Sequence, residues 1–159
     1  MAENDARIGM PAPDFQLPSS EDVPFHLSEE LGKGPIMLLF YPNDFGIICS
    51  LEMRTFQEMG DEFKTKGVRV VGISRNSVFT HKQWKASMGV PFRLLSDPEG
   101  EVSTKYGGLQ YSGLMKGMPH RAVFIIGRDG IIRYVWISSA EGVPPPFEEV
   151  REKVLTLDL

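Results

Sequence analysis

One thiol stands in a chain of 159 residues: Cys49, within the stretch "YPNDFGIICSLEM". The stretch follows the apolar run "PIMLLFY" and leads into a segment of helical spacing. A cysteine in the first turn of a helix, just after a buried strand, has a chemical use. Unpaired N–H groups and the helix dipole favour an anion there, so the thiol is expected to ionise more readily and act as a nucleophile. A nearby cation would add to the effect. The plainer reading is that a free cysteine packs as a small hydrophobe, which the flanking Ile47, Ile48 and Leu51 suit.

Other chemistries find less support. Gly46-Ile47-Ile48-Cys49 lacks the first cysteine of a Cys-x-x-Cys pair, so dithiol cycling within one chain is excluded. His26, His81 and His120 are scattered, no cysteine–histidine cluster has zinc spacing, and no cofactor or metal is expected. His120 beside Arg121 leaves a Cys–His hydrolase as a minor reading. Gly107-Gly108 shows no phosphate-loop pattern. A net charge of −4 argues against a nucleic-acid partner. No apolar run approaches the roughly 18–20 residues that span a bilayer, and "MAENDARIG" has no basic or apolar leader segment. One cysteine forms no internal disulfide, so a reducing cytoplasm is the expected compartment.

The elements that must position Cys49 read as follows. "PDFQL" is a short edge segment, and residues 35–41 form a buried strand by their length and lack of alternation. Ile48, Leu51, Phe56, Met59 and Phe63 predict one helix over about 48–66 with Gly67 at its end. Residues 68–74 form a second buried strand. "SVFTHKQWKASMG" is a helix anchored by Phe79 and Trp84 and stopped by Gly89, "FRLLSD" a short strand, and "GEVSTKYG" a short helix. "RAVFIIGRDGIIRYVWIS" is a hairpin turning at Arg128-Asp129-Gly130, and "FEEVREKVLTL" is a closing amphipathic helix. Arg128 and Arg133, around the turn, read as solvated. Parallel βαβ units followed by a hairpin and a last helix give one α/β domain over 1–159, a mixed central sheet with helices on both faces. That is the order of a thioredoxin-like fold, in which chemistry sits at the carboxyl ends of the strands, where Cys49 falls.

"FYPNDFGIICSLEM" resembles the active-site segment of the peroxiredoxins, thiol peroxidases of the thioredoxin superfamily. Their signature is P-x-x-x-T-x-x-C, often with Glu three residues on; here Pro42 and Cys49 have that spacing and Glu52 follows. "IGMPAPDFQL", "GVRVVGIS", "FRLLSDPEGEVSTKYG" and "HRAVFIIGRDGIIRY" resemble further family segments in the right order. The one-cysteine, AhpE-like and bacterioferritin-comigratory-protein-like type is the nearest match. The resemblance implies a cytoplasmic antioxidant enzyme that reduces hydrogen peroxide or alkyl hydroperoxides through a cysteine sulfenic acid. Cys49 would be the nucleophile and Arg121 the cation over its thiolate. Pro42 would shape and shield the loop, and Glu52 would orient the arginine. Alone, Glu52 is an ordinary first-turn helix carboxylate. With no second cysteine, the reductant would be an external thiol or a thioredoxin- or glutaredoxin-like protein. A homodimer contact is implied around Phe45 and Phe79, with core packing expected for at least one of them.

The chain departs from the signature at Gly46, where the family has threonine. That hydroxyl bonds the thiolate and the peroxide, and a hydrogen bond to a charged group contributes roughly 1.5–3 kcal/mol, or about ten- to a hundredfold in rate. Three accounts stay open: a water in its place, drift to a redox-sensing or binding role with weak peroxidase activity, or a substitution made for study. A thioredoxin-like domain with an inert Cys49 is the third functional reading.

Overall fold

The computed structural model describes residues 6–110, 113–140 and 142–159; the first five residues of the N-terminal stretch read above lie outside the described residues. The chain runs β1 (Gln16–Leu17), β2 (Phe25–His26), α1 (Leu27–Leu31), β3 (Ile36–Phe40), α2 (Ile47–Glu58), α3 (Gly60–Thr65) and β4 (Arg69–Ser74). It continues through α4 (Val78–Met88), β5 (Arg93–Ser96), α5 (Glu101–Tyr106), β6 (Ala122–Ile126), β7 (Ile132–Ile137) and α6 (Phe147–Thr156). The central sheet has the order β5-β4-β3-β6-β7. β3, β4 and β5 are parallel, while β6 and β7 run antiparallel to their neighbours. β1 and β2 form a separate two-stranded antiparallel pair.

Side-chain alternation divides the core in two, because successive strand residues point to opposite faces. Ile36, Leu38 and Phe40 of β3 pack with Leu27, Leu31, Val102 and Tyr106 on the face that carries α1 and α5. Met37, Leu39 and Tyr41 pack with Met53, Phe56, Phe63, Trp84, Val150 and Val154, from α2, α3, α4 and α6. Both faces of β3 are therefore covered, which explains a sequence run without polar alternation. The mixed sheet with helices on both faces matches the expected thioredoxin-like order.

Three local readings need correction. The single helix expected over 48–66 is two, broken at Met59 ahead of Gly60, a poor helix former. The Met59 N–H is shared between the carbonyls of Thr55 and Phe56 at 3.3 and 3.2 Å, which ends α2. The break lets Phe63 turn back onto Phe56, with ring centroids 6.3 Å apart. α3 then closes as expected at Gly67, whose φ is +69: Gly67 N–H bonds Lys64 O and Val68 N–H bonds Phe63 O. The second correction concerns the buried stripe of α2. It is Cys49, Glu52, Met53 and Phe56, while Leu51 faces solvent. Third, β2 and α1 have no counterpart in the sequence reading, because a two-residue strand and a five-residue helix are too short to show periodicity.

Candidate active site

The site is assembled at the carboxyl end of β3. There the chain leaves the sheet at Tyr41, whose N–H bonds Ile73 O at 3.1 Å, and re-enters regular structure at α2. A buried hydrogen-bond chain holds the loop between them. Tyr41 Oη donates to Asp44 Oδ1 at 2.6 Å, Asp44 Oδ2 lies 2.7 Å from His81 Nδ1, and His81 Nε2 lies 2.8 Å from Leu95 O. A carbonyl oxygen only accepts, so His81 Nε2 must donate. The Asp44–His81 contact then needs one further proton, held by either partner. The Asp44 N–H bonds Asn76 Oδ1 at 2.9 Å, which ties the same loop to the end of β4. Phe45 takes a left-handed conformation with φ +64, a strain of about 1–2 kcal/mol for a residue with a Cβ. The Asp44 anchor and the Trp84 ring, 6.3 Å from that of Phe45, hold it there.

Gly46 is the N-cap of α2, extended at φ −64 and ψ 145 with no side-chain cap, and its carbonyl accepts the Ser50 N–H at 2.8 Å. Cys49 thus stands at the third helical position, in the first turn, as the sequence implied. It is fully buried. Arg121 reaches it from the other side of β3, with Nη2 3.4 Å from Cys49 Sγ. Register explains how residues 72 apart meet: β6 runs antiparallel to β3 with Phe40 opposite Ala122, so Arg121 is delivered one step beyond, level with Tyr41. Arg121 is 4% exposed, has no carboxylate within ion-pair distance among the described residues, and keeps a buried Nε without a partner there. Pro42 is buried in the connecting loop.

The electrostatics differ from the expectation of a depressed thiol pKa. Burial pushes the Cys49 thiol up to about 11; the Asn43 backbone N–H pulls it down, the Glu52 charge pushes it up, and Arg121 pulls it down. Glu52 is itself fully buried, both of its carboxyl oxygens lack hydrogen-bond partners among the described residues, and burial against the pull of Arg121 raises it to about 8. At neutral pH Glu52 therefore keeps its proton, which removes its negative charge from beside the sulfur. Glu52 does not hydrogen-bond Arg121, so the structure does not give it the orienting contact that the resemblance implied. Nor is it the first-turn surface carboxylate of the plain reading.

Of the predicted site residues, Pro42, Gly46, Cys49, Glu52 and Arg121 all fall at this end of the sheet. His120 is partly buried and forms no hydrogen bond with Cys49. Trp84 is fully buried, as expected of a core anchor. Phe45 is 54% and Phe79 76% exposed, so neither is a core residue, contrary to expectation. Sequence reasoning did not single out Asn43, Asp44 or His81; the Asp44–His81 contact joins residues 37 apart and leaves no local periodic trace. An apolar cavity of about 380 Å³, bordered by Phe63, Val68, Arg69 and Phe92, lies at the amino ends of β4 and β5, opposite the end that carries Cys49.

A thioredoxin-like sheet that holds a solitary buried thiol against an arginine defines a class of thiol-dependent redox proteins. A model of the AhpC/TSA family matches residues 8–135. The chain belongs to that family, the peroxiredoxins, and to its bacterioferritin-comigratory-protein type. The putative peroxiredoxin bcp of Coxiella burnetii is 34% identical over 137 residues, covering 81% of this chain and 87% of that protein. The selenocysteine-containing peroxiredoxin PrxU of Peptoclostridium acidaminophilum is 38% identical over 136 residues, 79% of this chain but only 65% of that protein's length. The crystal structure of peroxidoxin BcpB from Mycobacterium tuberculosis matches with a TM-score of 0.79 at 29% identity, covering 94% of each chain.

Proposed function

We propose that the chain is a one-cysteine thiol peroxidase that reduces hydrogen peroxide or alkyl hydroperoxides at Cys49 and is regenerated by an external thiol. The observation that carries this reading is the 3.4 Å contact between Arg121 Nη2 and Cys49 Sγ in a water-poor pocket. A buried guanidinium without a carboxylate partner is costly, and ionising Cys49 gives it one. In the reaction the sulfur attacks the terminal peroxide oxygen. A sulfur–oxygen bond forms as the oxygen–oxygen bond breaks, and the sulfur gives two electrons to the peroxide. The proton lost by the thiol ends on the departing oxygen, whose developing charge faces Arg121 and the first-turn N–H groups of α2. Cys49 becomes sulfenic acid. With one cysteine in the chain, a second thiol from outside must attack that sulfur, and a third must release it. Such thiols are abundant in a reducing cytoplasm, the compartment this cycle suits.

The partners follow from the surface beside the thiol. Phe45, Ile47, Leu51 and Phe79 are all more than half exposed. Phe45, Ile47 and Leu51 lie within four residues of Cys49; apolar exposure of this kind marks a contact surface, and a homodimer through it is the reading proposed. A redox sensor with slow turnover is the second reading, favoured by the upward push that burial exerts on Cys49.

Peroxide consumption with dithiothreitol or a thioredoxin system, set beside Cys49→Ser, tests the proposal. Catalytic turnover that the substitution abolishes supports the peroxidase. Stoichiometric oxidation of Cys49 without turnover points to the sensor, and no oxidation at all removes both.

A further inference from the structure

The apolar cavity at the amino ends of β4 and β5 opens where the edge strand stops short. β4 begins at Arg69, but β5 begins only at Arg93, which pairs with Val71. Arg69 and Val70 therefore have no β5 residue beside them. Gly60, at the head of α3, adds no side chain to the rim. The floor is Phe63, Val68, Val70 and Phe92, each less than a tenth exposed. At about 380 Å³ the space has the size and the apolar lining of a small-molecule site.

The charges around this floor leave a cation in surplus. Lys33, Arg69 and Arg93 meet on the one carboxylate of Glu30. Arg69 spends both terminal nitrogens there, Nη1 on Glu30 Oε2 at 2.7 Å and Nη2 on the Glu30 carbonyl. Arg93 does not. It donates one long bond, from Nη1 to Glu30 Oε1 at 3.4 Å, and its Nε and Nη2 have no hydrogen-bond partner among the described residues. Its guanidinium lies over the Phe25 ring, 5.8 Å from the centroid, and its side chain is 29% exposed. The other lining charges do not remove the surplus. Glu21, within reach of the Arg93 charge, bonds Lys85 at 2.8 Å, and Asp61 and Lys64 offset each other. A guanidinium with a free edge suits a carboxylate, which accepts two parallel N–H bonds from it. The Phe63 and Phe92 rings beside it favour an aromatic body on that carboxylate.

We propose that this cavity binds a small aromatic carboxylate, with its ring against Phe63 and Phe92 and its carboxylate on Arg93. The site lies at the end of the sheet opposite Cys49 and does not depend on the peroxidase reading.

Two probes of the same shape test this, naphthoate and its neutral counterpart naphthamide, each titrated into the unaltered protein and followed by the chemical shifts of its backbone amides. Naphthoate should bind at least about tenfold more tightly, the margin expected of hydrogen bonds between charged groups. The amides that shift should be those of residues 68–71 and 92–94. Arg93→Met keeps an apolar stem and removes the guanidinium. It should weaken naphthoate by about tenfold or more and leave naphthamide within about twofold. Equal binding of the two probes to the unaltered protein would overturn the ligand class, as would an unchanged naphthoate affinity in Arg93→Met. Shifts confined to the exposed apolar residues around Cys49, or no binding of naphthoate at millimolar concentration, would overturn the site. If Arg93→Met fails to fold, the probe preference and the shift map of the unaltered protein decide alone.

Discussion

Glu52 is a carboxyl group shut away from water one helical turn beyond Cys49. Its folded pKa is raised, to about 8 from an ordinary 4.5, so the folded protein binds more protons than the unfolded chain between those values. Stability must then fall as pH rises from about 4.5 towards 8, by on the order of a few kcal/mol for this group alone. Glu52→Gln removes the titration. Its melting temperature should exceed that of the unaltered protein by more at pH 8 than at pH 5, and equal differences at the two pH values would refute the assignment. Arg121 acts at the same scale through charge. Arg121→Met should preserve the fold and slow peroxide oxidation of Cys49 by at least about tenfold in stopped-flow measurements, since it removes the only cation in hydrogen-bond contact with the sulfur among the described residues. The meeting of Cys49 with Arg121 was legible only through the family resemblance, which rests on the spacing of Pro42, Cys49 and Glu52 and on the arginine that opens the hairpin. The state of Glu52 was not. Its neighbours Ile48 and Leu51 are apolar and hide the fact that the helix turns one of its two carboxyls inward.

At the scale of elements, α4 and the β3–α2 loop are joined through Tyr41, Asp44 and His81, and the joint holds the strained Phe45 in place. Leaving Asp44 without its buried partner costs the desolvation of an unpaired polar group, about 1–3 kcal/mol. His81→Ala should lower stability by about that amount in urea unfolding. Amide exchange at residues 43–46 should quicken more than in β3, and a loss of protection spread evenly over the sheet would contradict the local role given to this joint. β3, β4 and the β6–β7 hairpin were readable from the sequence: two are runs covered on both faces, and the third turns where Gly130 takes φ +84. The α2–α3 break was not readable, because Ile48, Leu51, Phe56, Met59 and Phe63 recur near the helical period whether or not the helix bends. The bend falls at Met59 ahead of Gly60, and a lone glycine inside a helical pattern does not by itself mark a break.

The proposed function sets a buried sulfur beside exposed apolar residues, Phe45, Ile47 and Leu51, which stand as a collar within four residues of it. If the collar joins two copies, a charge at its most exposed residue should part them. Ile47, 83% exposed, is that residue, and Ile47→Glu should shift sedimentation from dimer to monomer without changing the melting temperature of the monomer. A dimer that survives the change places the interface elsewhere. The burial of Cys49 also decides which reagents register its existence. Iodoacetamide and larger tags must part the collar far wider than a pair of oxygen atoms does. A chemical census of reactive thiols taken by alkylation would therefore pass this protein over, while a brief peroxide pulse followed by a sulfenic-acid probe, applied after unfolding, would find it fully marked. The same thiol would count as inert in one inventory and among the first oxidised in the other.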